Sequence, residues 1–241
     1  MKYKLIILAT ALSIVTILCS ACGKKAASDD LVKAEEPSRK PVHESEDIAD
    51  IFGENLIPKE QRDYYKKYFT EEFAESRKDD ISDWKDKEGN WCYPAGYKIT
   101  WIPSDDKKMA AQQFPEEMLA DMSTDELYQF IMKAHGWWAQ SAFDTYVYSL
   151  SSYYSRYNFI AELMQREDCS EVVHKNYAKV TDDDVKRYSK MSCTSYSDTS
   201  ETEKQELFQL MEGMEWFFLY RDGKSVLDEG VFGLDQLQPD K

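Results

Sequence analysis

Glu171-Val-Val-His174 is the first spacing in the chain with the makings of chemistry. A carboxylate and an imidazole three residues apart lie on one helix face, as they do in di-iron carboxylate bundles. That chemistry needs a second such pair and further glutamates. The other histidines are His43, in a polar stretch, and His135, which has Met132 three residues before it. The pair therefore reads as two solvated side chains on a helix surface. Asp182-Asp183-Asp184 lacks the glycine and closing glutamate of a calcium loop and reads as a negatively charged helix start. No zinc-type spacing, Gly-rich phosphate loop or Gly-x-Ser-x-Gly elbow occurs. No catalytic residue, metal ligand or cofactor is expected from these motifs. An envelope hydrolase in which two glutamates meet as acid and base stays open as the alternative reading.

Six Trp, sixteen Tyr and eleven Phe make the aromatic content the other notable feature. Trp137 and Trp138 are adjacent, so on a helix their side chains diverge by about 100°. One can anchor a core while the other shows a face to a groove. With Tyr97 and Asp144 they form the candidate ligand-binding set, suited to a sugar ring or a peptide side chain. The competing reading is that the aromatics fill gaps between short helices.

The amino terminus carries a different chemistry. Lys2 and Lys4 precede an apolar run from Leu5 to Leu18, followed by Ser20, Ala21 and Cys22. A bilayer core of about 30 Å calls for about 20 apolar residues in a helical span. This run is shorter and ends at small residues, which is the signal-peptide pattern. Leu18-Cys19-Ser20-Ala21-Cys22 resembles a bacterial lipobox, with Cys19 standing where leucine is usual. The resemblance implies cleavage before Cys22, acylation of its sulfur with chains such as palmitate, and a tether to the outer face of the cell membrane. Each buried CH2 of such a chain contributes about 0.8 kcal/mol.

Removing the leader with its two lysines takes the formal net charge from -15 to -17. A surface this acidic repels nucleic acid and anionic lipid heads, so neither is an expected partner. The partners that remain are the membrane, through lipid on Cys22, and an unknown ligand or envelope protein. Loss of Cys19 and acylation of Cys22 leave Cys92, Cys169 and Cys193. One disulfide with a spare thiol, or three unpaired cysteines, both fit.

The elements that must position these residues follow from periodicity. Residues 1–21 are the leader, 22–55 a polar flexible linker, 56–225 the folded domain and 226–241 a tail. Tyr64, Tyr65, Tyr68, Phe69 and Phe73 predict an amphipathic helix from Pro58 to about Arg77. Alternating aromatic and β-branched residues around Pro94 and Gly96 predict a short hairpin or extended segment over 89–103. Phe114-Pro115-Glu116-Glu117 starts a short helix. Ser123-Thr124-Asp125-Glu126 is a capping box, opening a helix that ends at His135 with Gly136 as its cap.

A longer helix is predicted from Trp137 to Tyr157. Asn158 caps the next, to Glu167, and Asp168 caps another through Lys179. Thr181 with Asp184 opens one ending near Met191, and Glu203 to Tyr220 closes the domain. Short helices with short connections favour a mainly α fold, a compact stack of antiparallel neighbours with one small extended segment.

The blocks Phe114-Pro-Glu-Glu-Met-Leu119, Met122-Ser-Thr-Asp-Glu-Leu127, Ala142-Phe-Asp-Thr-Tyr146 and Arg166-Glu-Asp168, with Gly89-Asn-Trp91 upstream, occur in order over roughly 89–180. In this the chain resembles a group of exported proteins of gut-type Firmicutes that have no assigned activity. Members usually carry Tyr-Pro after the capped helix, where this chain has Ala134-His135-Gly136-Trp137-Trp138. The resemblance implies a shared architecture, since most of the blocks are helix starts. The expectation for the whole is a lipid-anchored, extracytoplasmic domain that binds a ligand or protein without catalysis.

Overall fold

In the computed structural model, residues 48–77, 81–99, 105–136, 145–188 and 199–224 are described. The α-helices are α1 (Ile48–Phe52), α2 (Asp106–Ala110), α3 (Glu116–Asp121), α4 (Thr124–Ile131), α5 (Tyr146–Arg156), α6 (Asn158–Gln165), α7 (Cys169–Tyr177), α8 (Asp182–Tyr188) and α9 (Thr199–Arg221). Short 3-10 helices, Lys59–Gln61, Tyr64–Phe69, Glu71–Ser76 and Ile81–Trp84, follow α1. The described fold is mainly α and contains no strand. α9 packs on α5, α7 and α8, while α4 packs on α6 and α7.

Local hydrogen bonding explains where several helices begin. Ser123 and Glu126 exchange side-chain and backbone hydrogen bonds at the start of α4. Thr181 and Asp184 do the same before α8, with the Thr181 amide donating to the carboxylate at 3.1 Å. Each device offers partners to helix-start amides that have none within the helix.

Other starts differ from the pattern. α5 begins at Tyr146 because Thr145 is extended and its hydroxyl accepts the Tyr148 amide. A residue in that conformation cannot sit inside a helix, so the predicted helix from Trp137 is not continuous through this point; residues 137–144 lie outside the described set. The predicted helix from Pro58 to Arg77 is likewise broken, by Thr70 at φ -83°, ψ 164°. On an unbroken α-helix, Tyr68 and Phe73 point about 140° apart. The break lets both turn inward, Tyr68 at 2% exposure and Phe73 at 9%.

The fold also begins earlier than the linker boundary at residue 55. Ile48, Ala49, Ile51 and Phe52 are all buried. The Phe52 ring lies 4.7 Å from Phe217 and 5.6 Å from Tyr154, between α9 and α5. The Ile48-x-x-Ile51-Phe52 spacing puts these apolar side chains on one face of a helix.

The 89–103 segment pairs less than a hairpin does. Among the described residues its ladder is one antiparallel bridge, Lys85 to Trp91, closed by a turn in which Asp86 Oδ1 accepts the Glu88 and Asn90 amides. Beyond it the chain turns at Ala95-Gly96, where the Tyr97 amide donates to the Pro94 carbonyl at 3.0 Å, and is tied to the helices. Tyr93 donates to the Phe130 carbonyl and Tyr97 to the Gln112 carbonyl, and the Ile99 amide donates to the His135 carbonyl.

That last contact explains Gly136. α4 ends at Ile131, so Gly136 is not its cap. It has φ +84°, and a Cβ there would stand 2.4 Å from the Ile99 carbonyl oxygen. Gly136→Ala combines the left-handed penalty with overpacking and is expected to cost about 3 kcal/mol or more. Gly213, mid-helix in α9, is the control. A Cβ there meets Tyr146 Cβ at 3.4 Å, an ordinary contact, so Gly213→Ala is expected to gain up to about 1 kcal/mol from helix propensity. Urea unfolding of the two variants checks the contrast; equal midpoints would refute it.

Candidate functional site

Two polar joints involve residues of the sequence blocks around α3 and α4. The Arg166 guanidinium donates to the carbonyls of Leu119 and Met122 at the end of α3, and to Glu162 at 3.0 Å. Two residues on, the Asp168 carboxylate accepts the Thr124 hydroxyl at the start of α4. Asp168 makes no side-chain cap on α7, the role expected of it. Arg166-Glu-Asp168 thus bolts both halves of the α3–α4 corner.

Asn158 also departs from its expected capping role. Its amide group donates to the Phe114 carbonyl at 2.7 Å and accepts the Phe114 amide at 3.0 Å, as a neighbouring strand would. The Gln113 side chain accepts the Asn158 amide and donates to the Met109 and Arg156 carbonyls. Trp91, from Gly89-Asn-Trp91, donates its indole N–H to Asp121 at 2.6 Å.

The sequence-predicted ligand set falls mostly elsewhere. Trp137, Trp138 and Asp144 lie outside the described residues, as do Cys22 and Cys193. Tyr97 is stacked on Tyr93, with ring centroids 4.9 Å apart, and packs against Trp84 and Phe114. Its hydroxyl is engaged by Gln112, and burial pushes its pKa well above the usual tyrosine value. In this structure the Tyr97 ring is part of an aromatic stack that fills the space between helices.

The structure brings together a group that sequence reasoning passed over. On α9, Glu206, Gln209, Glu212 and Glu215 recur every three residues and are buried, none more than 8% exposed. Both Glu212 carboxylate oxygens accept phenols, from Tyr146 on α5 at 2.9 Å and Tyr177 on α7 at 3.2 Å. Burial first, then the Glu212 carboxylate, raises both phenol pKa values far above 10. The phenols therefore act as fixed donors, not as acids.

One step along, Glu215 Oε2 meets His174 Nδ1 at 2.5 Å. This corrects the expectation for Glu171-x-x-His174: Glu171 is exposed, but His174 turns inward to α9 and is not half of a solvated pair. The clue lay in the α9 sequence. Phe208, Leu210, Met214, Trp216, Phe217 and Leu219 spread apolar surface around the helix, and a helix apolar on all sides is buried on all sides.

A carboxylate on Nδ1 fixes an imidazole so that Nε2 is the nitrogen left for chemistry. Here Nε2 is buried and makes no hydrogen bond, so a substrate proton would have no route to it without movement of α7 or α9. Cys169 is fully buried, with its thiol pushed up to about 12 by that burial. It is protonated and a poor nucleophile. Cys92 and Cys169 are both unpaired, and no group of three His, Cys, Asp or Glu among the described residues is arranged to hold a metal ion. The seam's evident work is to dock α9 on α5 and α7 in one register.

Glu212→Ala would take the Glu212 acceptor from the buried Tyr146 phenol and the half-buried Tyr177 phenol and is expected to cost about 3 kcal/mol. Glu212→Gln keeps an acceptor and should cost clearly less. Denaturant midpoints of the two variants check the ranking, and a neutral alanine variant would show the seam to be dispensable.

No helix among the described residues is long and apolar enough to cross a membrane. Compared with known proteins, the chain matches no family model, no curated protein and no solved structure.

Proposed function

We propose that this chain is a lipoprotein held on the extracytoplasmic face of a bacterial cell membrane by acyl chains on Cys22, and that its helical domain binds a ligand or an envelope protein without catalysing a reaction. The observation that carries the reading is the leader itself: Lys2 and Lys4, a short apolar run, and Ser20-Ala21 directly before Cys22. Between Cys22 and the first residue of α1 stand 25 residues rich in charge, serine and proline. Fully extended they reach at most about 85 Å, enough to carry the domain well clear of a bilayer. The resemblance to exported Firmicutes proteins agrees with this address.

Intact-mass analysis of protein extracted from its native cell tests the tether. The expected species starts at Cys22 and carries acyl mass, and Cys22→Ala moves the protein out of the membrane fraction or leaves the leader attached. Wild-type protein with a bare thiol at Cys22, or with residues 1–21 retained, would overturn the proposal. For the binding role, Trp137→Ala and Trp138→Ala in the intact tethered protein should reduce crosslinking to envelope components without lowering the melting temperature. Unchanged crosslinking would remove these two residues from the role.

A further inference from the structure

We draw no further inference here: the strongest candidate, the buried junction of α4, α7 and α9 where the Tyr128 hydroxyl and the His174–Glu215 pair lie, belongs to the seam already described, and nothing in the structure shows what would reach it.

Discussion

Raising the pH above about 10 is expected to unfold the domain cooperatively, within roughly one to two pH units. Tyr68, Tyr128, Tyr146, Tyr153 and Tyr157 are each no more than 2% exposed. Desolvation is the first cause of a raised phenol pKa at all five. Below the ordinary tyrosine value of about 10, native and unfolded chains both hold these protons, and stability is at its full value. Above it only the unfolded chain releases them. Each phenol then removes about 1.4 kcal/mol per pH unit, until the pH reaches its raised native value. Five together remove about 7 kcal/mol per unit, against a typical domain stability of 5–15 kcal/mol. The phenolate absorbance of the buried rings and helical circular dichroism, followed along one titration, should change together in a single steep step. Ionisation of every tyrosine with the helix signal intact would mean that the buried rings reach solvent in the native state.

The second large effect concerns where the domain begins. A chain starting at Asp47 should melt like one starting at Cys22, whereas one starting at Leu56 should be unfolded or nearly so. The shorter chain loses Ile48, Ala49, Ile51 and Phe52 from the core, and with them the Asp50 partner of Arg62. Truncating a buried Phe alone costs about 3–5 kcal/mol, and a buried Ile about 2–5. The total, on the order of 8 kcal/mol, rivals the stability of a whole domain. Thermal unfolding of both chains decides it. Equal melting temperatures would show that α1 adds nothing to the core.

What could be seen in the sequence divides along physical lines. Ser123 with Glu126, and Thr181 with Asp184, were readable because both partners lie within three residues and bond each other whatever surrounds them. The mainly helical character was readable for a similar reason, since apolar spacing records which face each helix must bury. Asn158 was misread as a cap because a nearby helix start explained it, and the true partner, the Phe114 backbone, is 44 residues away in the chain. Thr70 was missed because the aromatic spacing around it fits an unbroken helix, and only the core position of Phe73 demands the break.

The buried glutamates of α9 were the hardest to foresee. A polar residue every three positions, Glu206, Gln209, Glu212 and Glu215, looks like a solvated stripe until Tyr146, Tyr177 and His174 arrive from two other helices. Tyr97 was singled out for its ring, yet a ring alone does not reveal whether its face meets solvent or, as here, Tyr93 and Trp84.

The placement of α1 also sets how the domain would respond to force. Among the described residues, load from the amino-terminal side meets α1 first, a single helical turn with Phe52 wedged between Phe217 and Tyr154. Tension there works first on the joints of α1 itself, the buried Ile48, Ile51 and Phe52 side chains and the Asp50–Arg62 pair, so α1 would act as the mechanical fuse of the molecule.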